Sequence, residues 1–205
     1  TALGNVVGSN IANILLIVGV SALVWPIAIV GASLRRDLAV MLAAALALLP
    51  FFFMGWLSRA AGALLFAGLV VYLVTAYRAG RADPEPEAEE PSRLTAGRAL
   101  LVVGIGLVAL MVGARLLIDG SVAIARDFGI SEAFIGLTIV AIGTSLPELA
   151  TSLIAAFRRQ SEIAIGNVVG SNIFNILGIL SVTAIVAPLP VAGRFLAFDL
   201  PVMIA

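Results

Sequence analysis

The sequence predicts an all-α, polytopic membrane protein built on inverted-topology repeats, and three observations lead there. Of its 205 residues, 61% are hydrophobic and 12% charged, with mean hydropathy +1.16, whereas a soluble domain carries about 25% charged residues. Several charge-free stretches reach bilayer-spanning length, which takes about 20 apolar residues as helix. Finally, the string Gly-Asn-Val-Val-Gly-Ser-Asn-Ile occurs twice, from Gly4 and from Gly166, each time followed one residue later by Asn-Ile-Leu.

Taken in order, the expected spans are Ile11 to Val30, Leu38 to Leu57, Ala60 to Tyr77, Ala99 to Ala114, Ala133 to Phe157 and Ile163 to Ala187. A seventh opens at Phe195, and its stretch to Ala205 is too short to cross a bilayer at 1.5 Å per residue. The chain thus reads as stopping within a helix as abruptly as it starts, and no segments in signal-peptide order precede the first span.

All twelve basic residues are Arg. Counting connections alternately, Arg35, Arg36, Arg78, Arg81, Arg93, Arg98, Arg158 and Arg159 fall on one side, and Arg59, Arg115, Arg126 and Arg194 on the other. The richer side is expected to be cytoplasmic, in an integral membrane protein of the bacterial inner membrane. The connection 79–98 combines Asp83, Glu85, Glu87, Glu89 and Glu90 with Pro84, Pro86 and Pro91. Such a composition buries no core, and its prolines hold the carboxylates extended, so a cytoplasmic linker is expected rather than a regulatory calcium site. Three parts result: 1–78, the latter part of a first repeat; the linker 79–98; and 99–205, a second repeat.

The repeat runs past the motif, since Ile17, Val20, Ala22, Val24, Pro26 and Gly31 match Ile179, Val182, Ala184, Val186, Pro188 and Gly193. With 18 of the first 31 positions identical to their partners 162 residues on, chance is excluded. The copies fall on the first and sixth spans and therefore run antiparallel. Inverted repeats of this kind are an architecture of secondary transporters, which bind substrate between the repeats near the midplane.

With no Cys and no His, disulfides, thiolate or imidazole metal sites and His-activated nucleophiles are excluded. Oxygen chemistry remains. Glu148 is the acidic residue well inside an apolar span, where a charge costs roughly 2.5–3.5 kcal/mol and marks function by default. Ser145 to Glu148 also fits an S-x-x-E capping box; one carboxylate oxygen can cap while the other faces an ion. Gly143 and Pro147 break the span, because glycine tolerates unusual dihedrals and proline lacks the amide donor. Carbonyls around Ala141 to Gly143, with the hydroxyls of Thr144 and Ser145, then become available to a cation. Carboxylate, hydroxyl and carbonyl oxygens suit Na⁺ and Ca²⁺.

In the repeated motif, Asn167, Ser171 and Asn175 recur at i, i+4, i+8, as do Asn5, Ser9 and Asn13, making a polar stripe on each helix. Ser171, Asn175, Ser9 and Asn13 are expected to ligate ions, and Asn167, Asn172, Asn5 and Asn10 to be structural. Gly4 with Gly8, and Gly166 with Gly170, have the G-x-x-x-G spacing that lets helices pack closely.

Gly-Thr-Ser-Leu-Pro-Glu-Leu-Ala-Thr-Ser from Gly143, followed by the motif from Gly166, resembles the second alpha repeat of sodium/calcium exchangers in the cation/calcium exchanger superfamily. The motif from Gly4 resembles the latter part of the first alpha repeat. The resemblance covers essentially the whole chain and implies ten helices in two inverted halves of five, of which this chain supplies helices three to eight and part of nine. It implies that Glu148 is the ion-binding glutamate, with Thr144, Ser145 and the Ala141 carbonyl as its neighbours and Ser171, Asn175, Ser9 and Asn13 as further oxygen ligands. A matching first-repeat glutamate is implied upstream of Thr1. Some exchangers have Asp at the position of Asn175; Asn here removes a charge.

A Ca²⁺/Na⁺ antiporter working by alternating access is the expected function, with Ca²⁺/H⁺ antiport as the rival. A passive channel, or a fragment with no transport of its own, ranks lower, and an intramembrane hydrolase lower still because nothing activates Ser145. The expected ligands are the transported ions and the expected partner is the lipid bilayer. No enzymatic activity, cofactor, nucleic acid or obligatory protein partner is expected.

Overall fold

The computed structural model describes residues 2–27, 31–82, 95–130 and 143–204. They form seven helices: α1 (Ala2–Val24), α2 (Ala32–Phe53), α3 (Arg59–Ala82), α4 (Ala96–Asp127), α5 (Leu146–Phe157), α6 (Ser161–Val186) and α7 (Phe195–Ile204). Two short strands, β1 (Trp56–Leu57) and β2 (Leu189–Pro190), pair antiparallel. Helices α1, α2, α3, α4 and α6 are long and apolar enough to cross a membrane. Most of the acidic linker lies outside the described residues.

The two copies of the repeat build the same helix twice. Both α1 and α6 end where the residue before a proline, Trp25 or Ala187, turns extended, because the proline ring disfavours helical dihedrals in its predecessor. Each helix also widens into a π-turn at matching positions, Asn13–Val18 in α1 and Asn175–Leu180 in α6. In α6, the Ser181 hydroxyl donates to the Leu177 and Gly178 carbonyls where the winding returns to α. The helices cross antiparallel: Asn10 meets Asn175 while Asn13 meets Asn172, so residue order reverses from one to the other.

The chain groups into two compact units, 1–73 with 148–205, and 74–147. The first holds both repeat copies around a core in which Leu3, Val6 and Val7 of α1 meet Ile165, Val169 and Ile173 of α6, with Leu48 and Phe52 from α2 and Leu65 from α3. Burying one such aliphatic side chain contributes about 1.5–3 kcal/mol when the alternative is water. The second unit contains α4, whose side chains are exposed almost throughout, Ala125 being buried. An apolar exterior of that kind is stable in lipid rather than in water.

Connections meet in the alternation that the span count requires. At one end of the first unit, Arg159 places its guanidinium 4.4 Å from the Trp25 ring centroid, and the Ser161 hydroxyl donates to the Pro26 carbonyl at 3.3 Å. Arg159 has φ 61° and closes α5, its amide donating to the Ala156 carbonyl and that of Gln160 to Ala155. An L-residue in this left-handed turn costs about 1 kcal/mol, which the ring contact helps to offset. The β1–β2 pair and the amide of Val191 on the Gly55 carbonyl, 3.0 Å, join the α2–α3 connection to the α6–α7 connection.

Three details depart from the sequence reading. Helix α1 begins at Ala2 rather than near Ile11, because Asn10 finds partners in α6 and does not end the span. Helix α4 continues to Asp127 rather than ending near Ala114, carried past its first charge by the i, i+4 pair Arg115–Asp119 at 3.1 Å. Three of the motif glycines pack against no described helix: a Cβ on Gly8, Gly166 or Gly170 would meet nothing within 4 Å among the described residues. Close approach is made instead by Gly62, whose Cβ would lie 2.7 Å from the Ser181 carbonyl oxygen.

Gly62→Ala should therefore force α3 and α6 apart and lower stability by about 1–3 kcal/mol, read as a lower melting temperature in detergent; Gly170→Ala should leave it unchanged. Because the chain has no Cys, Gln160→Cys and Ala192→Cys can be labelled singly with a membrane-impermeant maleimide. They should react from opposite faces of the membrane, and labelling of both from one face would refute the alternation.

Candidate functional site

Four asparagines occupy the crossing of α1 and α6. The Asn13 amide donates to the Asn172 side-chain oxygen at 2.9 Å, and the Asn175 amide donates to the Asn10 side-chain oxygen at 2.8 Å. Exchanging the two copies turns one bond into the other. Asn10, Asn13 and Asn172 are each 1% exposed. Asn10 Nδ2 also lies 3.4 Å from the Asn172 carbonyl and 3.7 Å from Met203 Sδ, and Asn172 Nδ2 lies 3.5 Å from Met41 Sδ.

These bonds leave Asn13 Oδ1 buried without a hydrogen-bond partner among the described residues, as are Glu148 Oε2 and Ser21 Oγ. An unpaired buried acceptor forfeits about 1–3 kcal/mol, more if charged, and so calls for an explanation. Both Asn13 Oδ1 and Glu148 Oε2 are hard oxygen donors of the type that Na⁺ and Ca²⁺ accept. No group of three His, Cys, Asp or Glu residues gathers among the described residues. Amides, hydroxyls and Glu148 are therefore the available donors.

Glu148 lies in the first turn of α5, which begins at Leu146 with Pro147 next. A proline fits there because the first-turn amides lack helical partners anyway. Asn167 of α6 fixes this turn: its Nδ2 donates to the Glu148 backbone carbonyl at 3.1 Å and to Ser152 Oγ at 3.0 Å. Ser152 in turn donates to the Ala164 carbonyl at 3.2 Å, tying α5 to α6 at a fully buried point. Asn167 thus acts structurally, at the head of the stripe that continues through Ser171 and Asn175. By helical rise Asn175 lies about 12 Å along the axis from Asn167.

Of the sequence-derived candidates, Glu148, Ser9, Asn13, Ser171 and Asn175 all belong to the first unit, with both serines half-buried. Thr144 and Ser145 belong to the second, Ser145 buried and Thr144 exposed. Gly143 packs so closely on Ile118 that no side chain fits there, which accounts for the glycine at the span's break. Ala141 lies outside the described residues. Sequence reasoning passed over Asp199 of α7, which is buried and paired with Arg194 at 3.3 Å. Its match to Asp37 across the repeat offset, itself paired with Arg36 at 3.0 Å, was the available signal.

Comparison with known proteins accords with this geometry. The sequence profile of the family described as "Sodium/calcium exchanger protein" matches residues 1–78 and 98–205. The chain is 38% identical over 196 residues to the inner membrane protein YrbG of Escherichia coli, covering 91% of this chain and 60% of YrbG. It is 35% identical over 243 residues to the sodium/calcium exchanger MaX1 of Methanosarcina acetivorans, covering 99% of this chain and 69% of MaX1. The solved sodium-calcium exchanger NCX_Mj superposes with a TM-score of 0.82 at 35% identity, over 98% of this chain and 66% of that one. The chain spans about three-fifths of the length of the first curated relatives it matches.

Removing the Asn167 amide deletes two bonds and leaves Ser152 with one partner fewer. Asn167→Ala is expected to cost about 1–3 kcal/mol, seen as a lower melting temperature of the detergent-solubilised protein, and an unchanged midpoint would show that the strut carries no load.

Proposed function

The chain belongs to the sodium/calcium exchanger family, and on that premise we propose that it works as a secondary active antiporter that exchanges Ca²⁺ for Na⁺ by alternating access. It is an integral, multi-pass membrane protein, which we place in a bacterial inner membrane with the linker 79–98 cytoplasmic. Two observations support the placement: Arg is richer on that side of the chain, and YrbG is named an inner membrane protein.

The observation that carries the reading is the pair of buried, unpartnered oxygens, Glu148 Oε2 and Asn13 Oδ1, in a unit where the repeat helices cross antiparallel. In this proposal Glu148 supplies charge. Asn13 and Asn175 supply amide oxygens, and Ser9 and Ser171 supply hydroxyls; Thr144, Ser145 and the Ala141 carbonyl enter the proposal through the family resemblance alone. Together they replace hydration lost by the ion, for which Ca²⁺ needs six to eight oxygens at about 2.3–2.6 Å. The same donors accept Na⁺, so the ions compete and exchange without any covalent step. Structures of NCX_Mj after soaking in Na⁺, Sr²⁺ or Ca²⁺ favour this pair of ions over others. The family is one of transporters, and neither catalysis nor a resident cofactor enters the reading.

Vesicles loaded with Na⁺ and containing the protein should take up ⁴⁵Ca²⁺ against its gradient. Glu148→Gln keeps the volume and removes the charge; losing one partner of a buried charge interaction is worth about 3–5 kcal/mol, so uptake should fall at least about 100-fold. Wild-type uptake by the variant, or uptake driven by a pH gradient with no Na⁺ present, would overturn the proposal.

A further inference from the structure

Met41 and Met203 face the amide cluster from opposite copies of the repeat. Met203 Sδ lies 3.7 Å from Asn10 Nδ2 and Met41 Sδ lies 3.5 Å from Asn172 Nδ2. The two methionines occupy equivalent positions, as do the two asparagines, each separated by the repeat offset. One relay therefore runs Met41, Asn172, Asn13 and the other Met203, Asn10, Asn175.

A thioether has lone pairs and no proton, so it can only accept. The edge of Asn172 that faces Met41 must then be its NH₂, which turns its oxygen toward Asn13. Asn13 must answer with its own NH₂, and its oxygen is left facing away from the relay, buried and without a partner among the described residues. The same logic fixes Asn10, whose NH₂ faces two acceptors, the Met203 sulfur and the Asn172 carbonyl. Asn175 then also donates inward. With a donor in place of either sulfur, each chain of amides could reverse and would present NH₂ groups to the ion, which a cation repels.

We propose that Asn10 and Asn172, oriented by the thioethers of Met203 and Met41, are positioning residues that aim the amide oxygens of Asn175 and Asn13 at the transported cation. This rests on the reading of Asn13 and Asn175 as ion ligands. Neither methionine touches the ion; each acts through one asparagine on another. Each ligand of one copy is held by an asparagine of the other, so the two relays cross between copies.

The test is Ca²⁺ affinity of the full purified protein by titration calorimetry, with the melting temperature without Ca²⁺ recorded alongside. Asn172→Ala should weaken Ca²⁺ binding about tenfold, the worth of one oriented hydrogen bond. Met41→Leu, which conserves volume, should weaken it about threefold, as an amide freed to flip spends part of its time reversed. In an Asn13→Ala background both substitutions should have no further effect, because the ligand they orient is gone. Met41→Leu decides alone if Asn172→Ala fails to accumulate. Unchanged affinity in Met41→Leu and Asn172→Ala, or equal losses with and without Asn13, overturns the inference even where melting temperatures fall. Unchanged affinity in Asn13→Ala itself overturns the ligand assignment beneath it.

Discussion

Inside a bilayer no water is at hand to satisfy a stray polar group, so each one must pair within the protein or with what the protein carries. The four asparagines at the α1–α6 crossing meet that constraint for most of their atoms, and much else follows from it. Their bonds fix the register of the two helices and set them antiparallel. They also explain why a motif rich in Asn and Ser can lie within a membrane helix at all. Aliphatic side chains fill the contact on either side, but apolar packing is tolerant of sliding, whereas an amide bond of 2.8–2.9 Å is not.

Polar bonding holds the crossing while geometry elsewhere leaves room for movement. The π-turns open at Asn13 and Asn175 in the two copies, and wider turns of this kind recur at functional sites because they loosen the helical ladder locally. By contrast, α3 is pressed against α6 through Gly62. Asn167 and Ser152 likewise bind the start of α5 to α6. The tight contacts belong to the frame, whereas a Cβ on Gly8, Gly166 or Gly170 would meet no described residue.

Much of this was legible beforehand because it depends on local pattern. Apolar run length gave five of the spans, the first part of the expected span Ala133 to Phe157 lying outside the described residues, and repeated words gave the match of α1 with α6 and their opposed directions. What failed to read were features that require a partner far away in sequence. The first span was expected from Ile11, beyond Asn5 and Asn10, since nothing local reveals that Asn10 bonds to residues of α6. Gly62 carried no signal because its reason for being glycine, the Ser181 carbonyl, lies in another helix. The G-x-x-x-G spacing reports a smooth face and not what covers it, and at Gly8, Gly166 and Gly170 no described residue does. Met41 and Met203 carried no signal either, since the amides their sulfurs meet lie on distant helices. Among the candidate ligands, Glu148 stood out by cost alone, and Asn13 was set apart from Asn172 by its place in the polar stripe; what the sequence could not show is that the two are bonded to each other.

The crossed relays also bear on how this sequence can drift. After a gene segment duplicates, each copy is ordinarily free to diverge so long as it still folds. Here a change at Asn172 is felt by Asn13, and one at Asn10 by Asn175, each in the other copy. A substitution in one copy is therefore judged by the geometry of its twin. The near-identity of two strings so far apart in the chain is then a trace of mutual constraint, in which the older and newer copies have been held to a common spelling by the bonds between them.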